Sequence, residues 1–265
     1  CIFLAVLSIF PFWVMIVNST RSTTEIQQHA LAFIPSSYLI NNFKILTGKS
    51  FNPMVGFMNS MIISTGATAC AVYFSTLTAY ALVVYKWKLR QPFFTFIMAV
   101  LMIPTQVVGI GFYQFMYKIG MTNNLLALIL PSIAAPSMVF FMRQYMQGAF
   151  SVEIVEAARI DGCNEFRTFV SIAIPMMKPA IAVQAIFAFI ASRNNFYTPS
   201  MILINVKLKQ KTLPMMVSAL QASDKLNDFG AVYLAIALAI IPIIIAYVFL
   251  SRFIIAGVAL GGVKE

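Results

Sequence analysis

Residues 57–85, FMNSMIISTGATACAVYFSTLTAYALVVY, hold no Asp, Glu, Lys, Arg or His, and the run stops at Lys86-Trp87-Lys88-Leu89-Arg90. A helix needs about 20 mostly apolar residues to cross the hydrocarbon layer of a bilayer, and this stretch is longer than that. Three cations and a tryptophan at its end read as an anchor at the cytoplasmic membrane interface.

The pattern recurs on both sides of this run. Residues 1–20, 91–117, 119–142 and 229–251 are also free of charge, and 179–206 is interrupted only by Arg193. The chain is 60% hydrophobic and 10% charged, whereas soluble domains are about half apolar and a quarter charged. Strands of a membrane barrel would be about 10 residues long and alternate in polarity; these runs are long and apolar on every side. The expected fold is therefore all-α. Residues 1–265 form one polytopic membrane domain with spans at about 1–17, 57–85, 92–117, 125–147, 180–204 and 229–251. Pro104, Gly109 and Gly111 loosen the third span, and Pro131 and Pro136 fall inside the fourth. Freed backbone groups there need a neighbouring helix or a cavity. Ala231, Ala235 and Ala239 in the sixth make a small-residue face that lets another helix come close, in this subunit or a second one.

Several functions are disfavoured by composition. Cys1, Cys70 and Cys163 are widely separated and His29 is the single histidine, so neither a disulfide framework nor a metal site is expected. The net charge of +10 would suggest nucleic acid for a soluble protein, but here the cations lie in loops between spans, where lipid headgroups account for them. Gly48-Lys49-Ser50 copies the end of a phosphate-binding loop, yet Phe43 stands where that motif needs its first glycine. Asn18-Ser19-Thr20 fits the glycosylation pattern, which is short enough to arise by accident. Because the first residue is Cys, a short piece is expected to precede it, and the opening run reads as a first span in preference to a signal peptide.

The most informative polar stretch lies between spans four and five, at about 148–179. Glu153, Glu156, Asp161 and Glu165 are half of the eight acidic residues, and Arg143, Arg159, Arg167 and Lys178 balance them. Ser151 can cap a first helix whose start Glu153 and Glu156 favour. Gly162 can end it in the left-handed conformation, and Asn164 can cap a second. Phe166, Phe169, Val170 and Ala173 then fall on one apolar face, and Pro175 is expected to stop the helix. Such a helix-Gly-helix elbow suits either a partner's groove or the membrane surface. In a groove, Ala157 and Ala158 would allow close approach and Glu156 would meet a cation.

The residues also carry a resemblance. Glu156-Ala157-Ala158, Asp161-Gly162, Ile172, Pro175 and Lys178-Pro179-Ala180 resemble the EAA loop of binding-protein-dependent ATP-binding-cassette importers. The chain is most similar to the maltose-type sugar permeases, in particular their MalG-like subunits. Asn59-Ser60, Ala79-Tyr80-Ala81, Ile103-Pro104, Met142-Arg143-Gln144 and the tail from Gly257 to Lys264 extend the likeness over nearly the whole chain. It departs at Ser151, where proline is frequent, at Cys163, and at Arg193, where many relatives have tryptophan.

The resemblance implies a six-helix permease subunit for sugar import. Its partners would be a homologous permease, two cytoplasmic ATPase subunits and an external sugar-binding protein. ATP and Mg would belong to the ATPases, leaving this chain without a cofactor or catalytic site. Glu156, Ala157, Ala158, Asp161, Gly162 and Pro175 would make up the ATPase-coupling loop. It would also put that loop and the C-terminus in the cytoplasm, a question the cations leave tied at nine on each side. Arg193 inside a span is costly and faces a cavity, a partner or the interface; with Asn194, Asn195 and Tyr197 it makes a donor-rich patch suited to sugar hydroxyls. An ion-coupled transporter would want acids within its spans, and Asp224 and Asp228 lie only at the edge of one. A solute such as glycerol phosphate stays open.

Overall fold

The computed structural model describes residues 2–48, 51–205, 210–221, 228–241 and 244, and every regular element among them is helical. The described residues of Cys1–Met61 and Asn205–Tyr247 form one compact unit, and those of Ile62–Ile204 another. Helix α4, Pro53–Val84, runs through both. The tail from Gly257 to Lys264 lies outside the described residues.

The first unit contains α1 (Ile2–Ser19), α2 (Thr23–Gln28), α3 (Leu39–Gly48), the start of α4, α13 (Leu213–Gln221) and α14 (Phe229–Ile241). Ser22 and Glu25 form a reciprocal capping box at α2. The buried Arg21 guanidinium donates to the backbone oxygens of His29 at 2.6 Å and Glu25 at 2.9 Å, and to Asn18 Oδ1 at 3.1 Å. Buried Asn42 donates to the carbonyls of Ser19 and Arg21. Gly230 fits against this knot because it has no side chain: a Cβ there would lie 2.3 Å from the Arg21 oxygen. Asn18 is itself buried and donates to Ala30 O at 3.1 Å, which closes the apparent glycosylation site. Ala231 and Ala235 are packed with Leu46, Leu213 and Met216, and Ala239 lies beside them, so the small-residue face of α14 is used within the subunit. Asn59 and Ser60 hold the chain leading into α13, through Lys211 O and the Leu213 amide, each at 3.0 Å.

The second unit is built on the remainder of α4. The third apolar run is two helices, α5 (Arg90–Leu101) and α6 (Thr105–Lys118), bent by 99°. The Pro104 expected to loosen a single helix instead sits extended between two, where its missing N–H and fixed φ disfavour continuation. Run four begins with α7 (Leu126–Ile129), tightens to a 3₁₀ turn at Leu130–Ile133, and continues as α8 (Pro136–Ala149). Pro136 takes the first turn of α8, where a missing N–H costs nothing. Next come α9 (Val152–Ile160), α10 (Glu165–Thr168), a π-helical turn at Phe169–Ala173, α11 (Ile174–Asn194) and α12 (Tyr197–Ile202). Met138, Met142 and Met146, one turn apart on α8, are buried against Ala79, Tyr80, Phe150, Val155, Phe169 and Met177.

Among the described residues, three helical stretches are long and apolar enough to cross a membrane: Pro53–Val84, Leu126–Ala149 and Glu165–Asn194. The bent α5–α6 pair adds a fourth if taken as one span, and Phe3–Ser19 and Phe229–Ile241 are shorter apolar helices.

Pro175 does not end the second helix of the elbow. The Ile174 amide donates to Phe169 O, five residues back, and this wide turn is followed directly by α11 with Pro175 in its first turn. In a regular α-helix the ring would meet the carbonyl four residues back, and the π turn relieves that contact. The helix entering the membrane run therefore starts at Glu165, ahead of the expected 180.

Candidate functional site

The elbow is formed where α9 meets α10. Gly162 has φ +80°. Its amide donates to Arg159 O at 3.1 Å and the Cys163 amide to Ala158 O at 2.9 Å, the paired bonds of a Schellman turn. Nothing lies within 4 Å of where a Gly162 Cβ would be, so backbone conformation alone calls for glycine. Asn164 caps α10 as its sequence position suggests, accepting from the Arg167 amide at 2.8 Å. Ser151 differs. It stands at the N-cap of α9 without making the capping bond, and its hydroxyl donates to Glu153 Oε2. That bond holds the Glu153 carboxyl below its usual value.

Two faces of the elbow have different fates. Val155, Ala158, Thr168 and Phe169 are buried, and Val155 and Phe169 join the core beneath α8 and α4. Glu156, Ala157, Asp161 and Gly162 are exposed, as is Pro175 farther along. Ala158 thus packs inward and leaves Ala157 as the small residue on the outer face. Ile160 is 87% exposed and Phe166 67%. The expected single apolar face of the second helix divides: Phe169 and Ala173 go to the core, while Phe166 and Val170 stay out. Each pair is four residues apart and stays together on its own side, because the helix surface between them rotates by about 100° per residue. The Glu156 carboxylate has no side-chain partner among the described residues.

Arg159 and Glu165 close the corner from its two sides. Nε donates to Oε1 at 2.7 Å and Nη2 to Oε2 at 3.1 Å. The bond to Glu165 holds the Arg159 guanidinium above its usual value. Tyr85, next after α4, donates its hydroxyl to the same Glu165 Oε2, and its ring lies 5.5 Å from Arg159 Cζ. No motif pointed to this trio. Opposite charges three residues to either side of Gly162 were the available signal, but Tyr85 is 80 positions from Glu165.

The other candidate residues gather at the far end of α11 without joining into one patch. Arg193 is only 3% exposed in the last turn. Asn194 is exposed. Asn195 folds onto the start of α12, its Nδ2 donating to Thr198 Oγ1 and its Oδ1 accepting from the Thr198 amide, both at 3.2 Å. Tyr197 donates to Gln106 O at 3.5 Å and packs on α6, where a Cβ on Gly109 would lie 3.0 Å from its ring.

Residues 71–259 match the family model described as binding-protein-dependent transport system inner membrane component. The chain belongs to this family. Among its relatives, the arabinooligosaccharides transport system permease protein AraQ of Halalkalibacterium halodurans is 35% identical over 264 residues, covering 99% of this chain and 93% of that protein. The lactose transport system permease protein LacG of Rhizobium radiobacter is 31% identical, covering 98% and 92%. The sn-glycerol-3-phosphate transport system permease protein UgpE of Pectobacterium atrosepticum is 27% identical, covering 94% and 90%. A chain in the crystal structure of a bacterial ABC transporter involved in the import of the acidic polysaccharide alginate superposes with a TM-score of 0.81. At 20% identity, over 94% of this permease and 92% of that chain, it establishes the shared fold.

Proposed function

We propose that the chain is a permease subunit of an ATP-driven sugar importer, with an oligosaccharide as its solute, forming half of the translocation pathway. Six spans would cross the bacterial cytoplasmic membrane, with Phe3–Ser19 opening the first and Phe229–Ile241 the last. The elbow and the C-terminus would face the cytoplasm. A homologous permease, two ATP-binding-cassette ATPases and an extracellular or periplasmic sugar-binding protein complete the assembly, and ATP and Mg are used by the ATPases.

The observation that carries this reading is the outer face of the elbow. Glu156, Ala157, Ile160, Asp161 and Phe166 project away from a core gripped by Val155, Ala158 and Phe169. An apolar side chain as exposed as Ile160, set among carboxylates, suits a protein groove with a cation in it better than lipid. ATP-driven motion of the ATPases would enter through Glu156, Ala157, Asp161 and Gly162, with Ala158 fixing the elbow from within and Pro175 leading into α11. Arg193, Asn194, Asn195 and Tyr197, at the opposite end of α11, would bear on the solute pathway. Exposed Asn194 and Tyr197 can reach it directly, whereas buried Arg193 and the capping Asn195 shape it.

The similarity to UgpE supports a second reading, an importer of the same class for glycerol phosphate. Vesicles holding the whole transporter and ATP, supplied with the binding protein, separate the two. Lactose or arabinotriose uptake with none of sn-glycerol-3-phosphate supports the sugar reading; the reverse replaces it. Uptake by this chain without ATPase subunits would sink both.

A further inference from the structure

The end of α4, the last turn of α9 and the first turn of α10 meet in one set of side chains. Glu165 is held at both oxygens by Arg159, and Oε2 also receives the Tyr85 hydroxyl. The face of the Tyr85 ring is turned to the same guanidinium. Below them, Tyr80 of α4 packs edge-on against Tyr85 at 5.9 Å and at a tilt against Phe169 at 5.3 Å, and Tyr73 meets Phe169 edge-on at 6.2 Å.

Thermal stability does not explain this arrangement well. Arg159 and Glu165 are 35% and 49% exposed, and ion pairs in water contribute little. What a bidentate guanidinium–carboxylate pair does supply is fixed geometry. Gly162 sits between the two partners and is the one joint about which α9 and α10 could open. With the pair closed, that joint has a set angle, and Tyr85 ties the set angle to α4.

We propose that Tyr85, Arg159 and Glu165 are positioning residues that latch the elbow to the end of α4. A push on the elbow then moves α4 together with α11. The proposal rests on the reading of the elbow as the ATPase-coupling element. Without the latch, the elbow would flex at Gly162, and the push would reach α4 only through the packing of Val155 and Phe169.

The test uses the complete transporter, with sister permease and ATPase subunits, in lipid vesicles. The readout is the stimulation of ATP hydrolysis by the external binding protein. Arg159→Glu and Glu165→Arg, each alone, are expected to lower that stimulation about tenfold, a usual size for coupling between sites, with the ATPase subunits still co-purifying. The double charge swap R159E/E165R restores the pair and is expected to recover most of the stimulation. Tyr85→Phe, which loses only the hydroxyl, should fall between. Single variants indistinguishable from the wild-type protein overturn the latch, as does a defect, including loss of the ATPase subunits, that the swap leaves in place. Glu156→Lys is measured in parallel. If it lowers stimulation while the latch variants do not, only the latch fails; if it has no effect, the coupling reading fails and takes the latch with it.

Discussion

Gly162 is the position where the elbow can be perturbed most cleanly, because an added side chain meets nothing and the whole effect is conformational. Its φ of +80° is a left-handed conformation that costs an L-residue roughly 1–2 kcal/mol. Gly162→Ala is therefore expected to open the turn roughly 5- to 30-fold more often. The reporter is the Cys163 amide, 2.9 Å from Ala158 O and outside the substituted residue. Its hydrogen exchange, read in the purified transporter, follows local opening directly. Gly162→Asn should exchange more slowly than Gly162→Ala, since Asn tolerates this region. Gly162→Val should be fastest, as β-branched residues tolerate it least. Wild-type exchange in the Ala variant would refute the argument, as would an order in which Asn is the worst of the three.

Phe169→Ala should destabilise the transporter by about 3–5 kcal/mol, seen as a lower thermal midpoint. Phe166→Ala, three residues away and exposed, should leave that midpoint nearly unchanged and weaken retention of the ATPase subunits. Glu156→Lys should abolish uptake and substrate-stimulated hydrolysis with membrane insertion intact; unchanged hydrolysis removes its coupling role. Arg193→Ala should lower uptake unequally across several sugars if the residue shapes the pathway, and equal losses or wild-type uptake would retire that role. Acid should release the α2 capping box. The Ser22 backbone N–H, with its hydroxyl and Ser36, holds the Glu25 carboxyl below its usual value. The resulting stabilisation is complete above the unfolded-state value and is lost as pH falls through the folded-state value. The gap in thermal midpoint between wild type and Glu25→Gln should accordingly narrow below about pH 4, in the range where carboxylates protonate.

Helical character and membrane class were legible in the run at 57–85, because a long charge-free stretch has few other uses. Gly162 and Asn164 were legible too, since each acts on backbone groups within a few residues of itself. Readings failed where a second option competed locally. Ser151 had a carboxylate two residues away that its side chain meets in place of a backbone amide, and Pro175 could be absorbed by widening one turn. Pro104 was visible as a perturbation, but a loosened helix and a 99° break have the same local signature. The partition of Phe166 from Phe169 depends on what α4 and α8 present to the elbow. The contact of Tyr85 with Glu165 is likewise set by tertiary packing, which no spacing rule reports.

The uninterrupted helix from Glu165 to Asn194 can be treated as a bar pivoting where it is gripped. Phe169, 2% exposed between Tyr73 and Tyr80, ties the bar to α4, and the two tilt together about this level as fulcrum. At 1.5 Å per residue the arm on the elbow side is about 6 Å long and the arm reaching Asn194 about 38 Å. A displacement of about 1 Å at the short arm thus becomes about 6 Å at the far tip, so long as the wide turn does not yield. If the elbow takes up the stroke of an ATPase, small displacements there would be geared up to openings on the scale of a sugar ring, and the stiffness of one turn at Phe169–Ala173 would set how much of the stroke arrives.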